Sequence, residues 1–129
     1  MKVVRQSDSP ERLLAAARSL LERPDARTAG LWPRAAAHLA RQALELLLDD
    51  FWRKKAPGTE STSTRAQLIC LSSYLSGAGL AARVAFAWNA LSHACHHHSY
   101  ELAPTAPELR VWLGTVDELR GNLANPDSA

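Results

Sequence analysis

The 129-residue sequence predicts an all-α fold: a compact antiparallel bundle of about five helices, read as one domain over residues 1–129. Three observations predict it. Apolar residues recur at three- and four-residue spacing through most of the chain, the recurrence that lines one face of a helix. The periodic stretches open at Ser, Thr or Pro and close at Gly or Pro, the residues that cap and break helices. No stretch alternates apolar and polar residues with the period of two that marks a half-buried strand.

The first helix is expected over about Pro10 to Glu22, with Ser9 as N-cap and Leu13, Ala17, Leu20 and Leu21 at core spacing. Pro24 ends it, and residues 1–8 are expected to fray. The second and longest helix begins near Pro33 and runs to about Lys55, where Ala56–Pro57–Gly58 stops it. Its apolar arc is wide, leaving Arg34, His38, Arg41, Gln42, Glu45 and Asp49 along a narrow polar strip, as suits a central helix.

Gly58 to Ser63 reads as a mobile Ser/Thr/Gly loop. Thr64 to Gln67 then resembles a capping box that opens a third helix with Leu68, Leu71 and Leu75 inward. Gly77 and Gly79 close that helix, and a fourth is expected over roughly Leu80 to His98. After a turn at Ala103–Pro104, Thr105 to Glu108 is a second capping-box pattern. It opens a fifth helix carrying Leu109, Trp112, Leu113, Val116, Leu119 and Leu123, with Asn122 to Ala129 fraying.

Composition narrows the function less than the fold. A chain 47% hydrophobic and 22% charged can bury a real core, and its net charge of +2 falls short of a dedicated DNA binder. No apolar run approaches the roughly 20 residues a bilayer crossing needs, and the first residues lack a secretory h-region. The expectation is therefore a cytoplasmic protein with no membrane partner. Cys70 and Cys95 fall in different apolar stripes and read as a reduced, buried pair.

The residues that could carry chemistry concentrate between Asn89 and Tyr100, which hold four of the five histidines. Wound as a helix, this stretch places Leu80, Val84, Ala87, Leu91, Cys95, His98 and Leu102 on one side. Phe86, Asn89, His93, His96, His97 and Tyr100 share the other, where a solvated face would carry Lys and Glu. His93 and His97, four residues apart, have the spacing of two metal ligands, but a third ligand and carboxylate companions are missing, so no metal and no cofactor are expected. Metal-free acid–base chemistry on a phosphodiester needs less: an imidazole, a polar positioning group and a cation. His93, His97 and Asn89 supply the first two, and Arg34 and Arg41 could supply the third from the second helix. Ser92 beside His93 points about 100° away and forms no nucleophile–base pair. Among the tryptophans, Trp32 and Trp112 fall on apolar arcs as core anchors, whereas Trp52 falls among Arg34, Arg41 and Glu45 as an exposed indole suited to stacking.

Two stretches resemble a known family. Ala40–Arg41–Gln42–Ala43–Leu44–Glu45 on the long second helix resembles the alanine- and glutamate-containing helix of the higher-eukaryote and prokaryote nucleotide-binding (HEPN) domains. Trp88–Asn89–Ala90–Leu91–Ser92–His93 resembles their arginine-asparagine-x-x-x-histidine motif, with Trp88 where the motif has arginine and Arg83 about two and a half turns from His93. The resemblance implies an all-α homodimer of toxin–antitoxin or phage-defence type, either a metal-independent ribonuclease or a noncatalytic relative. It places Asn89 and His93 at the motif's asparagine and histidine. The loss of the motif arginine favours an inactive relative that binds RNA or a protein partner, with His96, Tyr100, Arg34, Arg41 and Trp52 as further binding residues. An active ribonuclease using His93 and a metal-binding or regulatory bundle are the alternatives.

Overall fold

The structure, a computed structural model, describes residues 9–22, 32–75, 79–96 and 102–124. They form five helices: α1 (Pro10–Glu22), α2 (Trp32–Lys55), α3 (Thr64–Leu71), α4 (Leu80–Cys95) and α5 (Ala106–Ala124). A short 3₁₀ turn, Thr59–Ser61, joins α2 to α3, and there is no strand among the described residues. The protein is an all-α bundle, as the periodicity predicts.

Local signals set most boundaries. The Ser9 hydroxyl accepts from the Arg12 N–H at 3.2 Å, satisfying one of the donors that a helix start leaves orphaned, and Pro10 occupies the first helical position. At α5 the capping box closes reciprocally. The Thr105 hydroxyl accepts from the Glu108 N–H at 3.3 Å, and the Glu108 carboxylate accepts from the Thr105 N–H at 3.0 Å. Gly79 precedes α4 at φ 72°, a left-handed conformation in which a side chain would be strained.

The α2 helix lies at the centre and packs against all four others. Its Ala36, Ala40 and Ala43 are fully buried and recur along one stripe, so a neighbouring helix can approach closely. Leu13, Leu14, Ala17 and Leu21 of α1 fill one side of the core. Leu68 and Leu71 of α3, Val84 and Leu91 of α4, and Leu109, Leu113, Val116 and Leu119 of α5 complete it. Each fully buried leucine contributes about 2 kcal/mol of transfer free energy, before the entropy of ordering is set against it.

Several expectations are corrected. Trp52 is not an exposed indole: it is 1% exposed, edge-on to Phe51 and Tyr74 with ring centroids 4.9 Å and 5.0 Å away. Of the polar strip expected beside it, Arg41, Glu45 and Asp49 are half-buried, while Gln42 stays exposed. The α2–α3 loop is tightly bonded. The Ser61 and Thr62 hydroxyls donate at 2.6 Å to the carbonyls of Gly58 and Thr59, and Ser63, not Thr64, caps α3 by accepting from the Ala66 N–H. Gln67 turns inward instead of reaching back to cap, and Cys70 is exposed, so the two cysteines are no buried pair. Finally, α5 stays helical through Ala124, beyond the expected fraying point at Asn122.

Candidate functional site: a groove between three helices

α4 carries the site because its two sides differ so sharply. Leu80, Val84, Ala87 and Leu91 are buried, while Phe86, Asn89 and His93 are exposed, with Phe86 at 68%. Arg83 is the only Lys, Arg, Asp or Glu among its 16 residues. The imidazole-bearing side of the described helix thus faces away from the core, as the sequence pattern predicts.

The helix ends three residues earlier than expected. His96 is its C-cap, in extended conformation at φ −97° and ψ 143°, with its N–H donating to the His93 carbonyl at 3.2 Å. His96 therefore reaches the site from beyond the last turn. His97, His98 and Tyr100 lie outside the described residues, and with them the His93/His97 ligand pair. Among the described residues no group of three or more His, Cys, Asp or Glu could hold a metal ion.

Asn89, His93 and His96 line a groove of about 730 Å³. Pro33 and Arg34 from the start of α2 form one wall, Glu108 and Trp112 of α5 another, and Leu102 to Thr105 close one end. Arg34 and the histidines, four dozen or more residues apart in sequence, meet because the N-terminal turn of α2 lies beside the C-terminal turns of α4. The lining is largely apolar, with the half-buried Trp112 and exposed Phe86 sharing it with the polar Arg34, Asn89, His93 and His96. Imidazole, amide and guanidinium lining one groove can bind an anionic group, and the aromatic rings can take a planar one. Asn89 is held by its own helix, its Nδ2 donating to the Ala85 carbonyl at 3.0 Å.

Other predicted residues go elsewhere. Arg41 does not reach the groove; it is half-buried and pairs with Glu45 across 3.1 Å, one turn along α2. Glu45 also accepts from the Trp88 indole at 3.4 Å, so the residue in the motif's arginine position lies on the flank of α4 that faces α2. Cys95 is on that flank too. Burial raises its thiol above the ordinary range, nearby Arg41 pulls it back, and Glu45 raises it further. Arg83 turns toward α5 and forms a two-pronged pair with Glu118, at 2.6 Å and 2.9 Å. The hydrogen bond from Arg83 lowers the Glu118 carboxyl below its usual range.

Sequence reasoning missed Trp112 as a groove residue, placing it in the core, and missed Glu108 and the Leu102–Thr105 end wall. The cap formed with Thr105, chiefly its backbone N–H, holds the Glu108 carboxyl below the ordinary carboxylate value. No helix among the described residues is long and apolar enough to cross a membrane. In comparisons with known proteins, no family model matches the chain, and no curated protein or solved structure matches it.

Proposed function

We propose that this chain is an HEPN-like helical module of toxin–antitoxin or defence type that binds RNA in the groove between α2, α4 and α5 without cleaving it. In this reading two copies meet across the outer side of α4. One observation carries the proposal: Arg34, Asn89, His93 and His96 line the same groove as the aromatic Phe86 and Trp112. Phosphate oxygens suit the cationic and amide edge, and a base suits the rings. Absence of cleavage follows from Trp88, which replaces the motif arginine and is directed at Glu45, and from Arg83, whose guanidinium is taken by Glu118.

The test is binding of a labelled single-stranded RNA oligonucleotide to wild type, Arg34→Ala and His93→Ala. Each substitution is expected to weaken binding about tenfold, and Arg34→Ala to reduce the salt slope by about one phosphate's worth. Both side chains are exposed, so melting temperatures should stay within about 2 °C of wild type. Unchanged affinity in both variants would sink the reading, and wild-type protein that ignores RNA but copurifies with a protein lost on His93→Ala would replace RNA with that partner. Arg34 and His93 lining one groove also supports a second reading, a metal-independent ribonuclease with His93 as acid or base. That reading requires EDTA-resistant cleavage between pH 6 and 8, abolished by His93→Ala.

A further inference from the structure

The groove does not suit a polyanion at every point. Along with Arg34 and the histidines it is lined by Glu108, whose carboxylate repels any phosphate brought near it. A track for nucleic-acid backbone alone is basic along its length, so an acid in the lining marks a place for something else. Capping α5 occupies only half of that acid. Glu108 Oε1 accepts from both the N–H and the hydroxyl of Thr105, each at 3.0 Å. Oε2 accepts no hydrogen bond among the described residues, and the carboxylate pairs with no cation among them. The Thr105 N–H, and after it the Thr105 hydroxyl, hold this carboxyl below the ordinary range. At neutral pH Oε2 is therefore an acceptor only, with two lone pairs to offer.

Trp112 places a ring next to this acceptor. It lines the same groove four residues on, one turn of α5 from Glu108 and on the same side, where Cβ atoms stand about 5–6 Å apart. A base stacked on an aromatic side chain is read along its edge by neighbouring polar groups. The groove's volume of about 730 Å³ suits a single drug-sized ligand, roughly one nucleotide and not a length of strand.

The four bases show such an edge different patterns. Guanine presents two adjacent donors, N1–H and N2–H, with its carbonyl on the far side of N1. Adenine and cytosine set a ring-nitrogen lone pair beside their amine, and uracil flanks its one N–H with two carbonyls. Each of those three turns a lone pair toward an oxygen that has only lone pairs itself. Guanine alone offers two hydrogens to the two open sites of Oε2.

We propose that Glu108 makes the groove selective for guanine, with Oε2 accepting from N1–H and N2–H of a base stacked on Trp112 while Arg34 takes the phosphate. The inference rests on the reading of the groove as an RNA site and adds which nucleotide that site selects.

The test is binding of the whole chain to labelled uridine heptamers whose central position is guanosine, inosine, adenosine, cytidine or uridine. Wild type should bind the guanosine heptamer about tenfold more tightly than those with adenosine, cytidine or uridine. Inosine keeps N1–H and lacks the 2-amino group, so its heptamer should fall between. Glu108→Gln retains an oxygen for the cap, since glutamine serves in the same capping box, and puts an amide donor where Oε2 accepts. It should bring all five heptamers within about threefold of one another, with the affinity for the all-uridine heptamer within about twofold of wild type and the far-ultraviolet circular dichroism unchanged. A purely structural role for Glu108 would instead lower all five affinities together and keep their order. The comparison among heptamers on wild type needs no variant and decides the matter even if Glu108→Gln fails to fold. Equal binding of the guanosine and uridine heptamers overturns the inference and leaves RNA binding intact, as does inosine bound as tightly as guanosine or a preference that survives Glu108→Gln. Wild-type protein that binds none of the five overturns this inference and the RNA reading together.

Discussion

Replacing Trp52 with alanine separates the buried position in the structure from the exposed position the helical pattern suggests. The indole is 1% exposed, and it meets Phe51 and Tyr74 edge-on at interplanar angles of 70° and 89°. Emptying such a position forfeits transfer free energy and leaves a cavity that the surrounding helices only partly fill, a loss of about 4 kcal/mol. Against a typical total stability of about 5–15 kcal/mol, that is a large fraction. Nε1 has no hydrogen-bond partner among the described residues, so Trp52→Phe forfeits no such bond and should cost only about 1 kcal/mol, from lost contact area. Urea unfolding at 25 °C, followed by far-ultraviolet circular dichroism, should show the alanine variant's midpoint about 2 M lower, since m is about 2 kcal/mol per molar urea for a chain of this size. A cycle with Tyr74→Ala should return a coupling of about 1 kcal/mol. An alanine variant within about 0.5 kcal/mol of wild type, the usual scale of surface substitutions, would refute the packing argument.

Other outcomes follow from the caps, the charge pairs and the thiols. Glu108 and Glu118 both have carboxyls lowered in the folded state, so their stabilisation is present above the ordinary carboxylate value and fades as pH falls through the lowered one. Melting temperatures of Glu108→Gln and Glu118→Gln should therefore lie below wild type at pH 7 and converge with it as acidification protonates the two lowered carboxyls; a constant gap would contradict both assignments. Thr105→Ala removes the reciprocal cap of α5 and should cost about 1 kcal/mol in the same urea assay, whereas an unchanged midpoint would discount the cap. A thiol reagent at pH 7.5 should label exposed Cys70 within minutes and half-buried Cys95, whose thiol is raised by burial, at least tenfold more slowly; equal rates would show that the α2–α4 flank opens readily.

What could be read from the chain alone was whatever is written within one turn of itself. Ser9–Pro10 and the Thr105/Glu108 box are local statements, and both caps form as written. The division of α4 into leucine and imidazole sides is also local, and it holds through His93. Trp52 departs from the expectation because a helical wheel assumes one buried side, whereas α2 packs against four helices and Trp52 meets Phe51 and Tyr74 on a second side. The Thr64–Gln67 pattern had the right composition for a cap, but burial of Gln67 against Asp49 and the 59–62 carbonyls outweighed the local bond. In the groove, Arg34 was foreseeable from its place on the exposed strip. Glu108 and Trp112 were not, because nothing in α5 signals that its first turns stand opposite the histidines.

The Trp88–Glu45 contact bears on how this chain could acquire new chemistry. Position 88 projects toward α2, so an arginine arising there by mutation would meet a carboxylate that Arg41 already engages. Two guanidinium groups would then contend for one acid while the groove gained no cation. A gain-of-function path through that codon is consequently epistatic: it needs a second substitution at 41 or 45 before the first can have any effect on a bound phosphate.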